Sequence, residues 1–148
     1  MTEKELIIKA CDDIVDSYHA AMHDIETLLK MRRELAVNMY RLSAFVKETY
    51  GQAGLSYAQR KYKTAYTMMV NKDEDPKLAQ GANETKAEAS QQVMEARTAE
   101  VWADAEREAL RVKVDMGKQV LMSMSQELAN EAYEKRTTHF QNAQTTGK

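Results

Sequence analysis

The chain has 148 residues, 43% of them hydrophobic and 30% charged, with one proline, five glycines and one cysteine. That mixture favours helices, rules out an internal disulfide framework, and holds no apolar run near the roughly 20 residues a membrane-crossing helix needs. The net charge of −2 hides a segregation: residues 30–72 carry nine bases and two acids, whereas residues 1–29 carry seven acids and two bases and residues 73–108 ten acids and four bases. A basic belt between acidic blocks can attract a polyanion or pair with acidic helices of a neighbour.

Thr2 and Glu5 have the T-x-x-E spacing of a capping box, which opens a helix almost at the N-terminus. From there Ile7, Cys11, Ile14, Tyr18, Ala21, Ile25, Leu28, Arg32, Leu35, Met39, Leu42 and Val46 follow one another by four and three residues without a slip. This is a heptad seam, widened by Ile8, Val15, Met22, Leu29 and Ala36, and it predicts one unbroken helix over 3–50. A stripe this broad exceeds what one partner helix covers, so the expectation is self-association through Ile7, Ile14, Ile25, Leu28, Leu35 and Leu42. Leu121 and Leu128 of the last helix join that seam. Arg32 interrupts it; its stem is expected to lie along the seam with its head in solvent.

Gly51 and Gly54 supply a break, and Ser56 with Gln59 repeats the box pattern at the start of a short helix over 57–70. On its wheel Ala58, Tyr62, Ala65, Tyr66 and Met69 share one face, read as core, while Arg60, Lys61 and Lys63 point elsewhere. Residues 71–83, with Asp73-Glu74-Asp75-Pro76 and Gly81, read as a loop. Thr85 and Glu88, with Asn83 as a competing cap, open a third helix over 84–136, whose clearest seam is Leu110, Val114, Gly117, Leu121, Met124 and Leu128. Residues 137–148 read as a flexible polar tail. The predicted fold is all-α: one domain over 1–136, an elongated helical hairpin of two long helices with a short intervening helix, assembling into an oligomeric bundle or ring.

Chemistry finds little support. Asp16, His19 and His23 have metal-ligand spacing but fall outside the seam, so a solvated face is expected and no metal or cofactor. Neither phosphate-binding glycine motif occurs, and nothing orders Ser, His and Asp into a triad. The expectation is a protein that is not an enzyme. The first residues lack the basic start and apolar centre of a signal peptide, so a cytoplasmic location is expected. The belt remains. Five of the seven tyrosines (Tyr40, Tyr50, Tyr57, Tyr62, Tyr66) lie within it. Cations meet phosphates, and rings stack on bases without reading sequence, so Arg60, Lys61 and Lys63 with Tyr57 are the candidates for single-stranded nucleic acid.

The order of a long N-terminal helix, the Tyr/Lys/Arg segment Ser56–Tyr66, a loop, the restart Glu84–Ser90 and a long final helix resembles the small helical proteins of phage replication modules related to UvsY. The likeness spans residues 1–136 in layout. It implies an oligomeric recombination mediator that binds single-stranded DNA and helps load a RecA-like recombinase onto strands coated by single-strand binding protein. It carries the DNA-contacting role to Arg60, Lys61 and Lys63, and to Lys72 at the end of the belt. The competing expectation is a helical protein–protein adaptor, scaffold or inhibitor of phage type, whose basic belt meets acidic helices and no nucleic acid. The direction of Arg60 and Lys63, toward acids of 73–108 or toward open solvent, separates the two.

Overall fold

The computed structural model describes residues 1–145, with side chains to Thr138. It is all-α among these residues, with two long helices and shorter ones: α1 (Glu3–Ala20), α2 (Ile25–Glu74), α3 (Gln80–Glu88) and α4 (Gln91–Thr145). No helix among them is long and apolar enough to cross a membrane. The capping box forms as predicted: Glu5 N–H donates to Thr2 Oγ1 at 3.3 Å, and Thr2 N–H to Glu5 Oε2 at 2.7 Å.

The boundaries differ from the sequence reading in four places, each with a local cause. The single helix expected over 3–50 is interrupted between Ala20 and Ile25. Asp24 accepts the Thr27 N–H at 2.7 Å, an N-cap that starts α2 afresh. His23 Nε2 donates to the Ser17 carbonyl at 2.8 Å and satisfies an end of α1. Gly51 and Gly54 do not end a helix, because neither adopts the positive φ of a C-cap glycine; the predicted helix over 57–70 is therefore the continuation of α2. The connection around Pro76 spans only Asp75–Ala79, and the residues after it form α3. There Asn83 caps nothing and is buried inside the helix. Ser90 opens α4: its hydroxyl accepts from Val93 N–H at 3.4 Å and its carbonyl from Met94 N–H at 3.0 Å. The final helix, expected over 84–136, instead runs from Gln91 to Thr145 and takes in most of the expected tail; residues 146–148 lie outside the described residues.

The chain clusters into two compact units, Met1–Phe45 with Val112–Lys148, and Val46–Arg111. The first is a three-helix bundle. Ile7, Cys11 and Val15 of α1, Leu28, Met31, Leu35 and Leu42 of α2, and Val120 and Met124 of α4 form its core. Arg41 of α2 reaches Glu3 at 3.0 Å, so α1 and α2 run antiparallel. Lys113 meets Asp12 at 2.7 Å and Tyr18 donates to Glu127 at 2.7 Å, so α1 and α4 run parallel. Burial, and then the neighbouring Asp12 carboxylate, push the Cys11 thiol up, as befits a core residue.

This bundle changes the meaning of the seam. Ile7, Leu28, Leu35 and Leu42 are buried by the chain's own helices, and Ile14, Ile25, Leu121 and Leu128 are half-buried by them. Those seam positions are covered because α1 folds back along α2 and α4 adds a third wall, whereas Met22, Leu29 and Ala36 of the wider stripe stay exposed. Arg32 is exposed, and its Nε donates to Ser125 Oγ at 2.8 Å, in line with its expected place at the seam's edge.

In the second unit α2 and α4 run antiparallel with α3 against them. Their facing seams have a different composition: Thr49, Ala53 and Asn71 of α2, Asn83 and Ala87 of α3, and Val93, Ala96 and Leu110 of α4. Asn71 Nδ2 donates to Asn83 Oδ1 at 2.9 Å, and Asn83 Nδ2 donates to the Met68 carbonyl at 2.9 Å, fixing α3 on α2.

Candidate nucleic-acid interface

Between Ala53 and Val70, α2 directs a three-four series of residues inward: Ala53, Ser56, Arg60, Lys63, Thr67 and Val70 are buried or half-buried. Arg60 therefore turns toward α4, where Glu100 occupies the matching position of the series Val93, Ala96, Glu100, Ala103. The guanidinium binds the carboxylate through Nε and Nη2, with side chains 23% and 14% exposed. The fork geometry suits a carboxylate, and the hydrogen bond to Glu100 pushes the Arg60 pKa up. One of the four cations expected to face DNA is thus matched inside the unit.

Tyr57 lies one turn earlier and is half-exposed. The Arg60 guanidinium sits 5.4 Å from its ring centroid and the Lys61 ammonium 5.7 Å, both within cation–π range. Lys61 is exposed, and Lys63 half-buried on the other flank; among the described residues neither forms an ion pair with a carboxylate. Lys72 bends toward the end of its own helix, its Nζ donating to the Pro76 carbonyl at 3.1 Å. The structure thus brings Tyr57, Arg60 and Lys61 together and leaves Lys63 and Lys72 apart from them.

Tyr62 and Tyr66, expected in the core with Ala58 and Ala65, face outward. Tyr62 is 70% exposed, and the two rings stack with centroids 6.3 Å apart and planes 19° apart. The inward positions of α2 between Ala53 and Val70 are taken by Ser56, Arg60, Lys63 and Thr67, and Arg60 finds its partner there in Glu100. With those faces committed, the apolar one is left outside. Tyr50 is also half-exposed, with the Arg107 guanidinium 5.6 Å from its ring centroid. The sequence reading missed this pair and the Glu100 partner. The regular spacing of Val93, Ala96 and Glu100 was the signal for the latter.

Comparison with protein-family models, with curated protein sequences and with solved structures returned no match.

Proposed function

We propose that the chain is a single-stranded DNA-binding recombination mediator, acting as a homo-oligomer. The observation that carries the DNA contact is the half-exposed Tyr57 of α2, with the Lys61 ammonium 5.7 Å from its ring centroid. Such rings offer faces to bases of any sequence, and lysine ammonium groups meet the phosphates. Help in loading a RecA-like recombinase, alongside a single-strand binding protein, rests on the resemblance of the sequence alone.

Anisotropy of a labelled oligothymidylate tests the DNA contact. Affinity falls steeply with salt, because bound phosphates release counterions. Lys61→Glu with Lys63→Glu weakens binding by about tenfold or more at low salt and flattens that slope, since each lost phosphate contact lowers it by about one. Tyr57→Ala weakens binding by about 1–3 kcal/mol and leaves the slope in place. Salt-independent binding, or a charge-reversed variant that binds like the parent, overturns the proposal. The Arg60–Glu100 pair favours a second reading, a protein–protein adaptor whose belt is satisfied by acidic helices; it predicts no retention of the oligonucleotide at any salt.

A further inference from the structure

The second unit is apolar on the wrong side. Its inward seams carry Arg60, Glu100 and the Asn71–Asn83 amides, whereas its outward faces carry large apolar side chains. On α2, Leu55, Ala58, Tyr62, Ala65 and Met69 follow one another by three and four residues, and all are exposed. On α4, Met94, Thr98, Val101, Ala105 and Ala109 make a second such row, also exposed, with Trp102 beside it at 72% exposure. Each helix thus bears two seams, one used within the unit and one turned away from it. A spacing of three and four is the pattern that seats side chains of another helix.

We propose that a second copy of this chain covers these faces, the outer row of α2 in one copy docking on the outer row of α4 in the other. Charge selects this pairing over like on like. Apart from Arg60 and Glu100, which pair inside the unit, residues 46–74 carry four bases and three acids, and residues 91–111 three bases and four acids. Two α2 faces would bring lysines together and two α4 faces carboxylates, whereas α2 on α4 joins opposite signs. Shape agrees. The α2 row alternates large and small residues, and the α4 row ends in Ala105 and Ala109, hollows that a tyrosine or methionine fills. The exposed side chains amount to about 500 Å² per face, so one contact buries roughly 1,000 Å², at the lower bound of specific interfaces. Within a unit the two rows point away from each other, so the contact is heterologous and copies add head to tail until a ring closes or a filament grows. This contact stands whether or not the protein binds DNA.

Two blocked variants of the full chain test it, read by sedimentation without nucleic acid. Leu55→Glu with Tyr62→Glu closes the α2 face; Val101→Glu with Trp102→Glu closes the α4 face. All four positions are at least half-exposed, and unchanged helical circular dichroism checks the fold. The parent chain forms species larger than a dimer, each variant alone is a monomer of 16.9 kDa, and an equimolar mixture gives a dimer of twice that mass. A monomeric parent at tens of micromolar, a variant that dimerises alone, or a mixture that stays monomeric each overturns the proposal. A second measurement avoids introducing charge: Ala65→Cys and Ala105→Cys chains are treated with a bismaleimide, Cys11 being buried. The mixture cross-links at least fivefold more than either chain alone; equal yields overturn the pairing.

Discussion

Asn83 is 2% exposed and engaged at both ends of its amide, accepting from Asn71 and donating to the Met68 carbonyl. Removing it strands a buried donor on Asn71, and an unsatisfied buried polar group costs more than the hydrogen bond itself contributes. Asn83→Ala is expected to destabilise by about 1–3 kcal/mol, while replacing both amides with leucine costs less than the single change because no donor is left unpaired. Thermal denaturation followed by circular dichroism checks this; a double variant weaker than Asn83→Ala would refute it. The Arg60–Glu100 pair obeys the same logic. Glu100→Ala leaves a guanidinium facing a low-dielectric seam and is expected to lower stability more than a paired Arg60→Met, Glu100→Met replacement.

At the scale of the element, α2 is set by its N-cap, Asp24, and tolerates its glycines. The Asp24 carboxylate accepts the Thr27 N–H at 2.7 Å and the Thr27 hydroxyl at 3.2 Å, and these bonds hold its pKa below the ordinary carboxylate value. A depressed carboxylate adds stability above the pKa it has in the unfolded chain and loses it as pH falls through the lower folded value. Asp24→Asn keeps a capping oxygen and loses the charge. Its urea midpoint is therefore expected below the parent's at about pH 7 and equal to it at about pH 2. Gly51 and Gly54 have open space where a Cβ would stand, so each glycine-to-alanine change is expected to add about 0.5–1 kcal/mol of helix stability. At Gly117 the added Cβ would meet Met39 of α2. Gly117→Ala should gain less than Gly51→Ala, with the shortfall recovered when Met39→Ala accompanies it. These residues also mark how far periodicity carries. The Leu28, Leu35 and Leu42 seam was legible because a helix must bury what recurs at its own period. The stop at Ala20 was not, since Ala21 and Ile25 keep the spacing across it; only the Asp24–Thr27 cap signals the restart. The glycines misled in the opposite sense: a break needs a left-handed residue and not merely a permissive one. At the candidate site Tyr57 and Lys61 were legible as an exposed pair, whereas the outward turn of Tyr62 depended on Glu100, forty residues from its partner Arg60.

At the scale of the molecule, the two units differ in what their interiors hold. The first buries Leu28, Leu35, Leu42 and Met124, side chains worth about 1.5–3 kcal/mol each. The second buries mainly alanines and amides and leaves Tyr62 and Trp102 outside, so its helices gain little from closing on each other. Regions with few buried apolar contacts open locally at low free energy. Amide hydrogen exchange is therefore expected to be several times slower at Leu35 and Leu42 than at Thr67 and Val70. Association would add to the second unit the stabilisation its core lacks, by mass action. Raising the protein concentration from about 1 to about 100 μM should slow exchange across 53–70 and 93–107, by as much as the hundredfold that full linkage to a one-to-one contact permits. Leu35 and Leu42 should not respond, because their burial is complete within one chain. Exchange in 53–70 that ignores concentration would mean that the outer rows meet only solvent, and that the second unit is held by its small core, ion pair and amides without a second copy.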